Sequence, residues 1–277
     1  MQPQNIDWNW EQPRVMAIIN VTPDSFYAGS RTCSAEEIYA RVEKVVREGA
    51  DLLDVGGYSS RSGAEEVSPE EEFSRVARAL AVIRRGWPEI PVSVDTFRGE
   101  VVRRVVEEFG EVIVNDISAG ELDPHLLDWV EEYRLPYIAM HMRGNPQTMQ
   151  QLTNYRDVVE EVVAYFRERV EVLKSRGIDR LILDPGFGFA KTVAQNHQLL
   201  GELHRLCALE YPVLAALSRK SMIYKPLGIT PEEALYGTTA LNWEALRQGA
   251  RLLRVHDVRA AVDTVRLFTC FQARNDD

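Results

Sequence analysis

Short apolar segments alternate with longer segments of helical period along most of the chain. Residues 35–48 and 70–84 show the helical period, and the second segment opens at Ser68-Pro69 with acidic residues in its first turn. This alternation predicts βαβ units that build a parallel sheet. The predicted strands are eight in number: 15–19, 52–55, 91–94, 112–114, 136–140, 181–183, 212–217 and 252–255.

A glycine follows several of the predicted helices. Gly49, Gly110, Gly177 and Gly249 occupy the position where a left-handed residue commonly ends a helix. No segment rich in Pro, Gly or Ser divides the chain, so we predict one α/β domain over residues 1–277, a (β/α)8 TIM barrel with 1–13 and 272–277 as peripheral tails. A doubly wound open sheet is the alternative fold.

Composition narrows the class of protein. The 277 residues are 45% hydrophobic and 27% charged, which suits one large, well-filled core. The net charge of −10, with no Lys/Arg-rich run, argues against nucleic acid as a partner. No apolar segment reaches bilayer length and the first residues lack a signal-peptide pattern, so we predict a cytoplasmic protein with no membrane partner. The isolated Cys33, Cys207 and Cys270 are expected to be reduced and structural.

Polar residues follow the predicted strands, at the end of a barrel where active sites are built. They are Asn20, Gly56-Gly57, Asp95, Asn115-Asp116, His141, Asp184, Ser218-Arg219-Lys220 and His256-Asp257. One or two could be strand-end caps, but all of them together favour a site.

These residues divide by chemistry into two groups. Asp95, Asn115 and Asp184 offer donors and acceptors suited to a nitrogen heterocycle. Positive charge and donors for a phosphorylated substrate come from Arg61, Lys220, Arg254 and His256. The alternative for Arg254 and His256 is a solvated pair beyond a strand end.

Three loops combine turn residues with functional groups. Residues 20–26 and 56–63 are candidate lids, and residues 184–191 mix glycines that permit close backbone approach with aromatic rings. Asp24 could be a carboxylate near a metal or an ordinary turn residue after Pro23, and the two readings stay open. In the third loop, Phe187 is interpreted as a packing residue and Phe189 as a ligand contact.

The strand-end segments together resemble the dihydropteroate synthase family. The resemblance runs from about Val15 to Asp257. Its segments are Asn20-Val21-Thr22-Pro23-Asp24-Ser25-Phe26, Gly56-Gly57-Tyr58-Ser59-Ser60-Arg61, Ser93-Val94-Asp95-Thr96, Asn115-Asp116, Met140-His141-Met142, Asp184-Pro185-Gly186-Phe187-Gly188, Ser218-Arg219-Lys220-Ser221 and Arg254-Val255-His256-Asp257. Chance could supply one or two of these segments but not the ordered series.

The resemblance implies a TIM barrel, usually dimeric, that condenses 6-hydroxymethyl-7,8-dihydropterin pyrophosphate with 4-aminobenzoate. The products are 7,8-dihydropteroate and pyrophosphate, and sulfonamides inhibit this step of folate biosynthesis. By motif, the pterin-binding residues are Asp95, Asn115, Asp184, Lys220, Met140 and Gly188. The pyrophosphate-binding residues are Asn20, Ser60, Arg254 and His256, and Asn20 is the Mg²⁺ ligand. The aminobenzoate-binding residues are Phe26, Arg61, Ser62, Phe189, Lys220 and Ser221.

The implied chemistry needs no protein nucleophile, because loss of pyrophosphate leaves a pterin methylene cation in an SN1-like reaction. The catalytic residues implied are Asp95, Asp184, Lys220, Arg254 and His256. The two carboxylates would stabilise the cation, and Arg254, His256 and Mg²⁺ would neutralise the departing charge.

Two loop positions depart from the family pattern. Ser60 and Ser62 stand where the family usually has Thr and Pro, and Ser62 lacks the fixed φ angle and the apolar surface of proline. We therefore expect altered sulfonamide discrimination, which a Ser62→Pro variant would test. Tyr27-Ala28-Gly29-Ser30 replaces the usual Ser-Asp-Gly-Gly, so one acidic residue near the metal is missing.

Two other functions remain open at this point. A corrinoid-linked methyltransferase domain that binds methyltetrahydrofolate would share the pterin barrel but would not need an anion site. A catalytically silent pterin-binding protein would release no pyrophosphate.

Overall fold

The computed structural model describes residues 9–22, 34–58 and 67–273 as a barrel of parallel strands surrounded by helices. The strands are β1 Arg14–Asn20, β2 Leu52–Gly56, β3 Val92–Asp95, β4 Ile113–Asp116, β5 Tyr137–Met140, β6 Leu181–Asp184, β7 Leu214–Ala215 and β8 Leu252–Val255. The α/β TIM barrel predicted from the sequence is therefore confirmed. Residues 23–33 and 59–66 lie outside the described part. Of the two candidate lids, 20–26 and 56–63, only residues 20–22 and 56–58 are therefore described.

Each strand pairs in parallel with its neighbours in the order β6-β5-β4-β3-β2-β1-β8-β7. An isolated parallel bridge between Leu183 and Val213 joins β6 to β7 and completes the ring. The amide of Leu183 also donates to the carbonyl of Pro212 at 2.9 Å across this seam. The ring closure excludes the doubly wound open sheet.

Ten helices are described around the strands. They are α1 Ala35–Arg47, α2 Pro69–Gly86, α3 Gly99–Phe109, α4 Pro124–Glu132, α5 Val158–Ser175, α6 Val193–Gly201, α7 His204–Cys207, α8 Ser221–Leu227, α9 Leu235–Arg247 and α10 Val258–Gln272, with a 3₁₀ turn at Met149–Gln151. None of the helices in the described ranges is long and apolar enough to span a bilayer.

Local sequence explains where the first helices begin. Ser34 and Glu37 form a reciprocal capping box at α1, and Ser68 accepts from the amide of Glu71 while Pro69 occupies the first turn of α2. The predicted helix ends are also confirmed, because Gly49, Gly110, Gly177 and Gly249 all adopt positive φ, from 73° to 104°.

Strand β7 differs from the sequence prediction at both ends, and the ends of the other strands agree with it to within two residues. The strand predicted over 212–217 is only Leu214–Ala215. Pro212 has no amide proton to donate to a ladder, and the chain beyond Ala215 enters a turn in which Arg219 has a φ of 56°.

The strand residues that face the helices and those that face the barrel axis form separate apolar clusters. The cluster inside the barrel, called the apolar floor here, comprises Met16, Leu52, Ile113, Ile138, Ile182, Leu214, Ala216 and Leu252. Trp10 packs against this floor. Among the described residues the floor fills the axis below the strand ends, which leaves the carboxyl end of the barrel as the side where a ligand site is expected.

Candidate active site

Above the apolar floor, the barrel interior becomes polar within two residues. Side chains two positions apart on a strand point to the same face. Leu52, Ile113, Ile182 and Leu252 of the floor are thus followed on their strands by Asp54, Asn115, Asp184 and Arg254, called the polar layer here. The polar layer draws on four strands, and Asp95 of β3 lies beside it.

Arg254 links two carboxylates of this region. Its Nε donates to Asp54 Oδ2 at 2.6 Å and its Nη2 donates to Asp95 Oδ2 at 2.7 Å. The guanidinium is mostly buried, and Asp54 is fully buried. Arg254 therefore lies inside the barrel, which excludes the alternative of a solvated residue beyond the strand end.

Asn115 is the other partner of Asp54. Its Nδ2 lies 3.2 Å from Oδ1 and 3.3 Å from Oδ2 of the Asp54 carboxylate. These contacts fix the orientation of the Asn115 side chain, because its amide nitrogen is directed at Asp54. Its amide oxygen then points away from Asp54 and can accept a hydrogen bond from a ligand.

Burial and neighbouring charges shift the proton affinities of these groups. Burial, together with the carboxylates of Asp54, Glu72 and Asp184, raises the pKa of Asp95, although Arg254 opposes the shift. Burial alone would lower the pKa of Arg254, but Asp54 and Asp95 raise it above the ordinary value. Arg254 is therefore a permanent cation, whereas Asp95 titrates closer to neutrality than an ordinary aspartate.

Asp184 and Lys220 form the opposite side of the site. Asp184 Oδ1 accepts from the amide of Gly186 at 2.7 Å, and burial raises the pKa of Asp184 against the pull of Lys220. Lys220 Nζ donates to the carbonyl of Phe187 and lies 5.0 Å from the centre of the Phe189 ring. Burial lowers the pKa of Lys220 to about 8 despite the Asp184 carboxylate.

The loop after β6 needs glycine at two positions. Gly186 and Gly188 have φ of 70° and 84°. A Cβ at Gly186 would lie 2.1 Å from the carbonyl oxygen of His141, and one at Gly188 would lie 3.3 Å from Lys220 Cδ. Phe187 is fully buried and Phe189 is partly exposed, in agreement with the packing role inferred for Phe187.

Lys191 donates hydrogen bonds to backbone carbonyl groups of this loop. Its buried Nζ lies 3.1 Å from His141 Nδ1 and from the carbonyl oxygens of Gly186 and Phe189. Burial lowers the pKa of Lys191 to about 7. Burial and the positive charge of Lys191 also lower the pKa of His141, so His141 is a neutral acceptor for the lysine.

A second ion pair joins the ends of β7 and β8. Arg219 donates from Nε and Nη2 to the two carboxylate oxygens of Asp257 at 2.8 and 2.9 Å. The adjacent Ser218 Oγ lies 3.2 Å from the amide and 3.1 Å from Nδ1 of His256. These contacts set the loop that carries Lys220 against the turn that carries His256.

Apolar side chains form a wall between the polar groups. Met140 belongs to a small cluster with Ile117, Met142 and Met149, against which Phe97 and Phe189 pack. Such a wall offers flat, polarisable surface to an aromatic ring whose edges meet Asp95, Asn115 and Asp184.

Asn20 ends β1 opposite Gly56, and its Oδ1 lies 3.4 Å from the point where a Cβ on Gly56 would stand. Within residues 9–22, 34–58 and 67–273, no group of three His, Cys, Asp or Glu side chains could hold a metal ion by itself. One amide oxygen does suit Mg²⁺ that takes its remaining ligands from water and a bound phosphate.

The barrel thus brings together most of the residues predicted for the site. Asn20, Asp95, Asn115, Met140, Asp184, Gly188, Phe189, Lys220, Ser221, Arg254 and His256 all lie at or just beyond the carboxyl ends of strands. Phe26, Ser60, Arg61 and Ser62 lie outside the described residues, as do Asp24, Ala28 and Cys33. Within the described part, Cys207 is half-buried and Cys270 is exposed, and both are free thiols.

Sequence reasoning missed Asp54. The signal was present, because a charged residue interrupts the apolar strand Leu52–Gly56 two positions after an interior leucine. Asn115, Asp184 and Arg254 have the same spacing from their floor residues. The roles of Lys191 and of the Arg219–Asp257 pair were also missed, since each depends on partners that come from other strands.

Comparison with known proteins agrees with this geometry. Residues 16–256 match the family model described as pterin binding enzyme. A dihydropteroate synthase of Synechocystis sp. is 42% identical over 257 residues, which cover 92% of this chain and 88% of the relative.

Two solved structures of similar fold carry ligands in their descriptions. The Xanthomonas albilineans dihydropteroate synthase with 4-aminobenzoic acid is 44% identical, with a TM-score of 0.87 over 95% of this chain and 94% of that chain. A Yersinia pestis dihydropteroate synthase in a sulfonamide drug complex is 33% identical, with a TM-score of 0.91 over 99% of both chains.

Proposed function

Because the chain belongs to the dihydropteroate synthase family of pterin-binding enzymes, we propose that its barrel joins a pterin to an aromatic amine. The enzyme is a transferase of folate biosynthesis. The proposed substrates are 6-hydroxymethyl-7,8-dihydropterin pyrophosphate and 4-aminobenzoate, and the products are 7,8-dihydropteroate and pyrophosphate.

One observation carries this proposal. Two cations lie beside the groups proposed to bind the pterin ring, at the carboxyl ends of the strands. The cations are Lys220 and Arg254, and the ring-binding groups are Asp95, Asn115 and Asp184, called together the polar rim here. Arg254 lies 2.7 Å from Asp95. A site that bound only a neutral pterin would not need two buried cations beside the ring-reading groups. The corrinoid methyltransferase alternative is therefore disfavoured.

The polar rim supports a dissociative reaction. The bond between the pterin methylene carbon and the pyrophosphate oxygen breaks with both electrons on oxygen, which leaves a cation delocalised over the pterin. Asp95 and Asp184 stabilise that positive charge, while Arg254 and His256 face the developing negative charge. The amine nitrogen of 4-aminobenzoate then forms the new bond to carbon and gives up a proton to water, so that dihydropteroate, pyrophosphate and one proton are released.

Phe189 and Lys220 are proposed to position the aminobenzoate. The ammonium lies 5.0 Å from the centre of the Phe189 ring, so an apolar face and a positive charge stand side by side. A benzoate needs both, one for its ring and one for its carboxylate. The other proposed aminobenzoate contact in the described part is Ser221, which begins α8 next to Lys220. Three more, Phe26, Arg61 and Ser62, lie outside the described residues, as does the proposed pyrophosphate contact Ser60.

We propose Mg²⁺ as the cofactor, with Asn20 as a ligand. The single amide oxygen at the end of β1 fits a cation that pyrophosphate and water coordinate as well. When bound, Mg²⁺ would supply charge neutralisation for the leaving group.

A direct assay tests the proposed function. The purified chain is incubated with the pterin pyrophosphate, 4-aminobenzoate and Mg²⁺, and dihydropteroate and pyrophosphate are both measured. Equal amounts of the two products are expected, with a large loss of rate when a chelator replaces Mg²⁺. Pterin binding without pyrophosphate release would instead show a silent pterin-binding protein. Competition by a sulfonamide against 4-aminobenzoate is also expected.

A homodimer is proposed through the outer faces of α9 and α10. Tyr236, Leu267 and Phe271 are 86%, 64% and 56% exposed, and the Phe271 ring lies 5.9 Å from the Trp243 ring. Large apolar side chains exposed on neighbouring helices commonly mark a protein interface. Sedimentation velocity should show a dimer that Phe271→Asp dissociates, and an unchanged monomer in the parent chain would reject the proposal.

A further inference from the structure

We propose that Asp54 is a positioning residue that holds Asn115 in the orientation required by the pterin and Arg254 in the orientation required by the pyrophosphate. Asp54 is not expected to touch the reacting atoms. The inference rests on the proposed function, because it assigns a role within the same site.

The position of Asp54 makes it the centre of the polar layer. It lies on β2, while Asn115 lies on β4 and Arg254 on β8, so each partner is two strands away on opposite sides. The carboxylate accepts from Arg254 Nε at 2.6 Å and from Asn115 Nδ2 at 3.2 and 3.3 Å. A single buried group therefore connects residues from three strands across the barrel interior.

General stability of the barrel does not account for this group. Burying a carboxylate carries a desolvation cost, and an apolar side chain at the same level would continue the packing of the floor. Ser93 illustrates the contrast. It pairs with Asp54 in the β2–β3 register, is fully buried, and its Oγ has no hydrogen-bond partner among the described residues. Asp54, by comparison, makes all of its described polar contacts to residues of the proposed substrate site.

The two contacts require a carboxylate in particular. Both Arg254 Nε and Asn115 Nδ2 are donors, so both need an acceptor. An asparagine at position 54 would present one oxygen and one NH₂ group, and its NH₂ group would face one of these donors. Asp54→Asn therefore preserves the volume, but with its oxygen kept against Arg254 its NH₂ group takes the place of Oδ1, which lies 3.2 Å from Asn115 Nδ2, and two donors then face each other.

Comparing Asp54→Asn with the matched control Ser93→Ala tests the role. Affinity for 6-hydroxymethylpterin is measured by calorimetric titration, KM for 4-aminobenzoate by steady-state assay, and folding by circular dichroism. In Asp54→Asn, pterin affinity should fall roughly ten- to hundredfold, with less than about a twofold change in the aminobenzoate KM. Ser93→Ala should leave both unchanged. Unaltered pterin affinity, or equal weakening of both substrates, would overturn the proposal.

A double-mutant cycle covers the case in which Asp54→Asn does not fold. Asp54→Ala with Arg254→Leu removes both charges of the ion pair, and its pterin affinity is compared with that of Arg254→Leu alone. Any loss of pterin affinity that Asp54→Ala still causes in the Arg254→Leu background should come from Asn115. Asp54→Ala should therefore cause no further loss in a background that carries both Arg254→Leu and Asn115→Ala, because the positioned amide is then absent. A full, additive effect in that triple variant would contradict a positioning role. The pterin titrations do not depend on turnover, so failure of the synthase assay can be told apart from failure of this inference.

Discussion

The apolar floor and the polar layer occupy the same barrel axis, two residues apart on four of the strands, and they differ in what holds their side chains in place. The floor consists of aliphatic and methionine side chains in contact with one another. The polar layer consists of groups bonded to specific partners, such as Arg254 between Asp54 and Asp95. Substitutions in the floor should thus change the free energy of unfolding, whereas substitutions in the polar layer should change turnover.

The largest effect is expected in the polar layer. Arg254→Ala removes the cation that meets the leaving group, so turnover should fall by about 2.7 to 4 kcal/mol of transition-state stabilisation, or roughly a hundred- to a thousandfold. Steady-state kinetics checks this, with circular dichroism to confirm a folded chain. Near-normal turnover by the folded variant would remove Arg254 from the mechanism.

The pH dependence of the polar layer comes next. Asp95 must be ionised, and its raised pKa means that activity is lost as pH falls through a higher value than for an ordinary aspartate. Lys220 must be charged, and its pKa of about 8 means that activity is lost as pH rises through that value. We expect a bell-shaped profile of kcat/KM that falls about tenfold per pH unit beyond each limb. Lys220→Arg should move the alkaline limb upward, since arginine stays charged. A rate that is constant from about pH 5 to pH 9 would contradict both assignments.

A smaller effect is expected in the floor. Ile138→Val deletes one methyl group from a fully buried side chain, so unfolding should become easier by about 0.5 to 1.5 kcal/mol. Chemical denaturation measures this, while kcat per folded molecule should stay at the parent value. A variant with parent stability and impaired turnover would break the division between the two layers.

The smallest effect is expected outside both layers. The exposed Lys44 of α1 lies 3.8 Å from Glu48, the half-buried residue that follows the helix. Lys44→Ala should change the free energy of unfolding by less than about 0.5 kcal/mol and leave turnover unchanged. A larger loss of unfolding free energy, measured by chemical denaturation, would indicate that surface charge contributes substantially to the stability of this barrel beside the apolar floor.

Local pattern was sufficient to predict the fold. Every strand end was predicted to within two residues because each strand is a short apolar run bounded by polar or glycine residues, as at Leu252–Val255. The end of β7 was missed because the pattern of 212–217 does not reveal that the backbone turns before Arg219.

The site was predicted less completely, for a physical reason. Asp95, Asn115, Asp184 and Lys220 stand at strand ends and carry motifs, so their position was readable from the sequence. Asp54 was not, because its partners Asn115 and Arg254 are 61 and 200 residues away along the chain. The charge within an apolar strand marks Asp54 as unusual, but the local pattern does not identify its partners, because the three residues come together only when the ring of strands closes.

The seam between β6 and β7 has a consequence for motions of the molecule. One isolated bridge at Leu183 and Val213 joins these strands, immediately below Asp184 on one side and along the chain from Lys220 on the other. The strand pairing is therefore weakest between β6 and β7, which carry Asp184 and the loop with Lys220. Amide hydrogen exchange should be faster along this seam than in the β1–β2 ladder, and a ligand that bridges Asp184 and Lys220 should slow it by acting as a clasp across the gap.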